Sequence, residues 1–316
     1  LKKHWFNSWW FKAACTIVLI GLILAWIGPK EIWNSLLSSD PGLLGLSLLL
    51  TPIIITIKTL RWLLLARTES PLTFRGALSS YLAGLTLATL TPLAAGEAGR
   101  GFFVRTGDRA GLTGKVLLDK LVDLSTVGIF ACIGLLLTKE SAAREASVLL
   151  LIAIVVAWAV LLLLPARLKK LPLDTSGGWL VRLRIPDVIS GLINTPRPTL
   201  ALNAVLALIG FAVFYGQAFV LLRAFYPEAP LSAIPYFPII TLSTILPIAI
   251  GGLGIREWTA VLLLKQFGIP EAAAFNAFFV HFVVVQLLPS IAGAFIIGFY
   301  RQEREPLQEE NSLESA

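Results

Sequence analysis

Long apolar runs separated by short charged stretches dominate this chain, and they fix its solvent before any other feature is considered. The runs cover approximately 11–28, 43–66, 116–138, 147–164, 199–225 and 272–300. About 20 apolar residues suffice for a helix to cross the hydrocarbon core, so each run reads as a transmembrane helix. Runs such as Leu-Leu-Leu do not alternate as barrel strands must, which excludes a β-barrel. Charged residues make up 14% of the sequence, against about 25% in a soluble domain. The expected fold class is an all-α polytopic membrane protein. Residues 1–300 form a single transmembrane domain, and 301–316 form a short cytoplasmic tail. The run behind Lys2 and Lys3 is followed by Trp26 and Pro29 rather than by a small-residue cleavage site, so it reads as a retained span.

Two further regions, 77–105 and 231–268, are apolar but interrupted by Pro and Gly, and they repeat each other at a constant offset of 155 residues. Without gaps, Tyr81, Thr86, Leu87, Thr89, Pro92, Ala94, Gly96 and Gly99 match Tyr236, Thr241, Leu242, Thr244, Pro247, Ala249, Gly251 and Gly254. The same offset carries span 43–66 onto 199–225 and span 116–138 onto 272–300. Loop charges orient the halves, because short cytoplasmic loops are rich in Lys and Arg. Lys2, Lys3 and Lys12 place the N-terminus inside. Loop 29–42 is outside, Arg67 and Arg75 are inside, and loop 139–146 is outside. Segment 165–198 carries the strongest cytoplasmic signal, Glu228 is outside, and Arg301 and Arg304 put the tail inside.

On these assignments 77–105 enters and leaves from the cytoplasm, and 231–268 enters and leaves from the opposite face. Each half, about 43–138 and 199–300, is then a helix, a re-entrant hairpin and a helix, and the two halves form an inverted repeat with additional transmembrane helices outside it. Non-helical backbone at membrane depth must be covered by protein or water, so both hairpins are expected inside, with their tips near the midplane. Gly96, Gly99, Gly251 and Gly254 are expected where the backbone leaves the helix or packs closely, and Gly128 in a plain span. Segment 178–193, with Trp179, Arg182 and Arg184, is either interfacial or a linker.

Ionisable residues within apolar sequence are expensive and usually face a partner or a watery cavity. Lys58 and Arg61 lie toward the cytoplasmic end of their span, where Arg61 can snorkel and Lys58, being deeper, calls for a partner. Asp119, Lys120 and Asp123 begin span 116–138. The two aspartates share a face at i and i+4 and either hold a cation or, the favoured reading, pair with Lys58, Lys115 or an arginine. Glu97, Arg100 and Arg105 follow the first Gly break, and Arg256 and Glu257 the second. A Gly break opening a helix offers free N–H groups and a positive dipole end, which with arginine suits a phosphate or carboxylate. The alternative is that Arg and Glu neutralise each other. Meeting hairpin tips would carry Glu97 and Arg100 toward Arg256 and Glu257. His281, Gln286, Tyr215 and Gln217 also lie within spans, and His281 is either a hydrogen-bonded interior residue or a site residue.

Four segments resemble the membrane domain of the lysylphosphatidylglycerol synthase/flippase family: Lys58-Thr-Leu-Arg61-Trp62, Pro92-Leu-Ala-Ala-Gly96-Glu97-Ala-Gly-Arg100, Asp119-Lys120-Leu-Val-Asp123 and Pro247-Ile-Ala-Ile-Gly251-Gly252-Leu-Gly254-Ile-Arg256-Glu257. Lys120 departs from the family, which more often has Arg there. The resemblance implies movement of an anionic phospholipid or lipid-linked phosphate between leaflets of the cell membrane. With sixteen residues after Tyr300, no aminoacyl-transferring domain is expected. The site residues it brings forward are Lys58, Arg61, Glu97, Arg100, Asp119, Lys120, Asp123, Arg256 and Glu257, to which the reading of the spans adds His281. No G-x-x-x-x-G-K-[ST] phosphate loop occurs. No HExxH, GxSxG or CxxC motif occurs either, so no cofactor, metal or enzymatic activity is expected. The basic balance, +7, belongs to the loops and does not imply nucleic acid. A homo-oligomer is compatible with this reading. The competing functions are an integral membrane enzyme acting on a phospholipid or polyprenyl-phosphate head group, in which Asp119, Asp123 and Glu257 would be acid/base groups, and a small-solute transporter or partner subunit.

Overall fold

The computed structural model describes residues 9–104, 107–136, 141–168, 188–189, 191, 194–245 and 250–302. Lys2, Lys3, His4, Arg105, Pro247, Ala249, Arg304 and nearly all of segment 178–193 lie outside the described residues, and so does the tail beyond Gln302. The described chain is helical throughout. Its helices are α1 (Trp9–Ile27), α2 (Pro29–Leu37), α3 (Pro41–Ala66), α4 (Phe74–Leu90), α5 (Arg109–Leu136), α6 (Ser141–Leu168), α7 (Arg197–Phe225), α8 (Phe237–Ser243), α9 (Ile255–Leu264), α10 (Glu271–Phe282) and α11 (Leu288–Gln302). Among the described residues, three runs are long and apolar enough to cross a membrane: α3, α7 and Glu271–Gly298. Helices α1, α5 and α6 occupy the other three expected spans. Large apolar side chains stay exposed along these helices, among them Leu49, Leu149, Val155 and Phe295. A face of that kind is suited to hydrocarbon rather than water.

Local chemistry explains the helix ends. Asp40 caps α3, accepting from the Gly42 and Leu43 amides at 2.7 and 3.2 Å, and Pro41 supplies the preset first turn. Thr73 caps α4 through the Gly76 amide. Between α10 and α11 the helix widens to a π turn over Val283–Leu287. Pro289 follows, and its missing N–H and its ring disrupt the regular ladder there.

Small and polar residues let the helices approach closely. A Cβ on Gly293 of α11 would meet the Leu82 carbonyl of α4, and one on Gly134 of α5 would meet the Pro235 carbonyl. Thr86 donates to the Ser290 carbonyl at 2.6 Å. Gln217 of α7 donates to the Ser47 carbonyl and the Thr51 hydroxyl of α3, at 2.6 and 2.9 Å. One apolar core joins α7, α8, α9 and α10 around Leu221, Phe237, Ala260 and Phe278. A second joins α3, α4 and α5 around Trp62, Ala77, Tyr81 and Leu112.

Both interrupted regions are broken helices, but they are built differently. After α4 the chain turns at Thr91 into a 3₁₀ segment, Pro92–Phe103, which folds back along α4. There a Cβ on Gly96 would strike the Leu87 carbonyl, and Gly84 abuts the Arg100 side chain. The second region runs through a 3₁₀ turn, Leu231–Tyr236, then α8, the glycine break and α9. Gly251, Gly252 and Gly254 all have positive φ, at 60, 75 and 87°, a conformation with no steric cost for glycine alone. The two breaks touch where Pro92–Phe103 packs against Ile250–Gly252.

Three expectations need correction. Loop 29–42 contains α2, which docks on α10 through an Asn276 to Ile32 carbonyl bond of 2.9 Å. Helix α5 begins at Arg109, not near 116, so Asp119 lies about 15 Å along it at 1.5 Å per residue. Gly128 is not in an open span: a Cβ there would lie 2.7 Å from Ile154 Cδ1 of α6.

Candidate functional site

The charged residues expected at membrane depth are brought together in two separate groups. The first spans α3, the 3₁₀ segment and α5. Lys58 Nζ lies 2.7 Å from Asp123 Oδ2. Arg61, fully buried, holds Asp119 through Nη2 at 2.7 Å and Asp123 through Nη1. Asp119 and Asp123, four residues apart on α5, thus present their carboxylates to one guanidinium, as the shared helix face predicts. Arg100 reaches Asp119 at 3.3 Å and pairs with Glu97, whose other oxygen takes Lys120. Four cations therefore face three carboxylates.

Neighbours that the sequence reading did not place in the site complete this group. Asn203 of α7 accepts from Arg61 at 3.2 Å and donates back to the Arg61 carbonyl at 3.3 Å. Arg100 lies over the rings of Trp62 and Tyr81, at 5.0 and 5.1 Å, and Lys58 over Phe211 at 4.6 Å. Such faces favour a cation. Buried charges are stable only when paired and hydrogen-bonded; every charge of this group is paired, across three elements with Asn203 of α7 added, while Arg61 Nε and Arg100 Nε stay buried without a partner. Lys115, one of the partners considered for the aspartates, turns away instead. It meets Glu69 at 3.3 Å, the Asn194 carbonyl and Thr195.

The second group is local. Arg256 donates through Nε and Nη2 to one oxygen of Glu257, at 3.2 and 2.5 Å. The other oxygen accepts the Gly254 amide at 2.6 Å. Glu257 thus occupies the N-terminus of α9, the position that the sequence reading offered to a phosphate. At the first break the chain continues as a 3₁₀ segment rather than an α-helix. The positive dipole end expected at both breaks is therefore present only at the second and is already met by a carboxylate. The two breaks touch, but Glu97 and Arg100 do not pair with Arg256 and Glu257: Glu97 holds Arg100 and Lys120, Arg100 also reaches Asp119, and Glu257 holds Arg256.

Arg256 nevertheless keeps donors to spare. A guanidinium carries five N–H groups, and only Nε and Nη2 are engaged by Glu257. Its Cζ lies over the Phe282 ring, 4.9 Å from the ring centre. It lines a cavity of about 100 Å³ with Phe214, Tyr215, Thr241, Gly251, His281 and Gln286. The His281 ring stands edge-on to Phe214 at 4.5 Å, and its Nε2 is buried without a hydrogen-bond partner. Gln286, in the π turn, donates to Thr89 at 3.3 Å.

The class defined by these features is an all-helical membrane protein with charge buried between helices and a polar cavity beside a glycine break. More specifically, the chain belongs to the family described as the lysylphosphatidylglycerol synthase TM region, which matches residues 9–293. That family points to a membrane protein acting on lipids. No curated protein and no solved structure matches the chain.

Proposed function

We propose that this protein moves an anionic phospholipid or a lipid-linked phosphate between the leaflets of the cell membrane, without itself converting the lipid. One observation carries the reading: Arg256, buried against Phe282, lines the polar cavity with most of its donors uncommitted. A planar fork of N–H groups matches two phosphate oxygens. Glu257 holds that fork in place. Lys58, Arg61, Glu97, Arg100, Asp119, Lys120 and Asp123 form the charged wall on the other side of the touching breaks and keep the route polar.

Within a single transmembrane domain, the two halves are read as an inverted repeat with re-entrant hairpins. The order of elements favours this: α3, a broken region and α5 in the first half, then α7, a broken region and α10–α11 in the second. Paired broken helices in two halves mark midplane binding sites in transporters. Single cysteines at Arg75 and Glu228, both exposed, in a Cys15→Ala, Cys132→Ala background should label from opposite sides of sealed vesicles. Labelling from one side would refute the inversion.

The functional test is reconstitution. Liposomes carrying tail-labelled phosphatidylglycerol should show protein-dependent access of the inner-leaflet label to an external quencher, with the lipid recovered chemically unchanged. Conversion of the lipid without exchange between leaflets would favour the integral membrane enzyme instead.

A further inference from the structure

His281 is 2% exposed and lines the Arg256 cavity. Its ring hydrogen-bonds the Phe214 backbone, and Nε2 is left buried with no partner. When Nδ1 donates to a carbonyl, Nε2 of the neutral imidazole is an acceptor. The hydroxyls nearby are spent. Thr241 donates to the Phe237 carbonyl at 3.0 Å and Thr244 to the Thr241 carbonyl at 2.7 Å. A buried acceptor without a donor is costly, so the cavity is built around a group that supplies one.

Resting on the proposed lipid-translocating role, we infer that this cavity selects lipid head groups that carry a hydrogen-bond donor beside the phosphate. The phosphate takes the spare N–H groups of Arg256, and a hydroxyl or ammonium on the head group donates to His281 Nε2. The Tyr215 hydroxyl, engaged with Thr241, closes the polar side of the cavity. His281 is thus a specificity-determining residue, and a lipid phosphodiester capped by a bare methyl group would leave Nε2 unmet.

Binding is measured as the thermal shift of detergent-solubilised protein titrated with dihexanoyl phosphatidylglycerol, phosphatidylethanolamine and phosphatidylmethanol. These present a hydroxyl, an ammonium and no donor. Wild-type protein should bind at least one donor-bearing lipid about tenfold more tightly than phosphatidylmethanol, and the better of the two tells which donor is used. His281→Phe should bring that lipid down to the affinity of phosphatidylmethanol and leave phosphatidylmethanol unchanged. His281→Gln, whose side-chain oxygen can accept, should restore part of the gap. Equal binding of all three lipids by wild type overturns the inference, as does an equal loss for all three in His281→Phe. No shift with any lipid means that the cavity holds water alone, and this too overturns it. If His281→Phe does not fold, the wild-type preference and the His281→Gln response decide. Liposome exchange separates this inference from the proposed function. Exchange without head-group preference defeats only the inference, and selective binding without exchange defeats only the translocating role.

Discussion

The two charged regions solve the same problem by opposite means. Around Arg61, most partners lie on another segment: Lys58 and Arg61 of α3 pair with Asp119 and Asp123 of α5, Arg100 of the 3₁₀ segment with Asp119, and Lys120 of α5 with Glu97, which also takes Arg100 within its own segment. At the second break, Arg256 is held by its own sequence neighbour. Long-range pairs fasten helices together, whereas a local pair fixes one guanidinium at the edge of a cavity. On the proposed function, the first region serves chiefly as a clamp and the second chiefly as the site.

The largest effect that follows is on folding. Arg61→Leu leaves two buried carboxylates facing fewer cations, and breaking a buried pair from one side costs about 3–5 kcal/mol. The solubilised protein should melt far below wild type or fail to accumulate. An unchanged melting temperature would mean that the clamp is idle.

Backbone strain comes next. Gly254 sits at φ 87°, ψ −46°, close to a γ-turn conformation that strains any residue with a Cβ. Gly254→Ala should therefore cost about 1–3 kcal/mol. Gly216 in α7 has open space where a Cβ would go, and Gly216→Ala should be neutral or stabilising by up to about 1 kcal/mol. Gly128, against Ile154, is the poorer control. Chemical denaturation of both variants in one detergent checks the contrast, and equal tolerance would show that the break does not position Arg256 through its backbone.

Arg256→Lys tests the site without removing a charge. Lysine keeps the attraction to Glu257 but not the fork, and lipid exchange should fall about tenfold, equivalent to about 1.4 kcal/mol, with melting nearly unchanged. Exchange at the wild-type rate would remove Arg256 from the route.

Much of this division is foreshadowed in the sequence, for physical reasons. A lysine and an arginine in an apolar span demand partners, and two aspartates at i and i+4 offer them on one face, so the Lys58, Arg61, Asp119 and Asp123 association follows from spacing and the cost of buried charge. The glycines after Ile250 signal a break for the same steric reason that gives them positive φ. The contact of Arg100 with Asp119 is not legible, because it depends on how the 3₁₀ segment packs on α4 and on how far α5 extends before Asp119. Asn203 carries no charge to draw attention, and no local pattern reveals its exchange with Arg61. The occupation of the α9 N-terminus by Glu257 could have been suspected. A glutamate three residues after a Gly cap is placed to reach back to the cap amide.

Lys120 gives the smallest effect and the finest test of the comparison. Its side chain is 43% exposed, and its buried partner Glu97 keeps Arg100 when Lys120 is lost, so Lys120→Gln should cost about 1 kcal/mol. The substitution also removes the surplus cation of the first group, leaving Lys58, Arg61 and Arg100 against three carboxylates. If the phosphate were attracted by that surplus charge, exchange would fall as steeply in Lys120→Gln as in Arg256→Lys. If the first group is a clamp, exchange should stay within about twofold of wild type, because the fork at Arg256 and its cavity are untouched; a twofold change is only about 0.4 kcal/mol. Measured side by side in the same liposomes, a tenfold loss in Lys120→Gln would move the binding site across the touching breaks to the α3–α5 group.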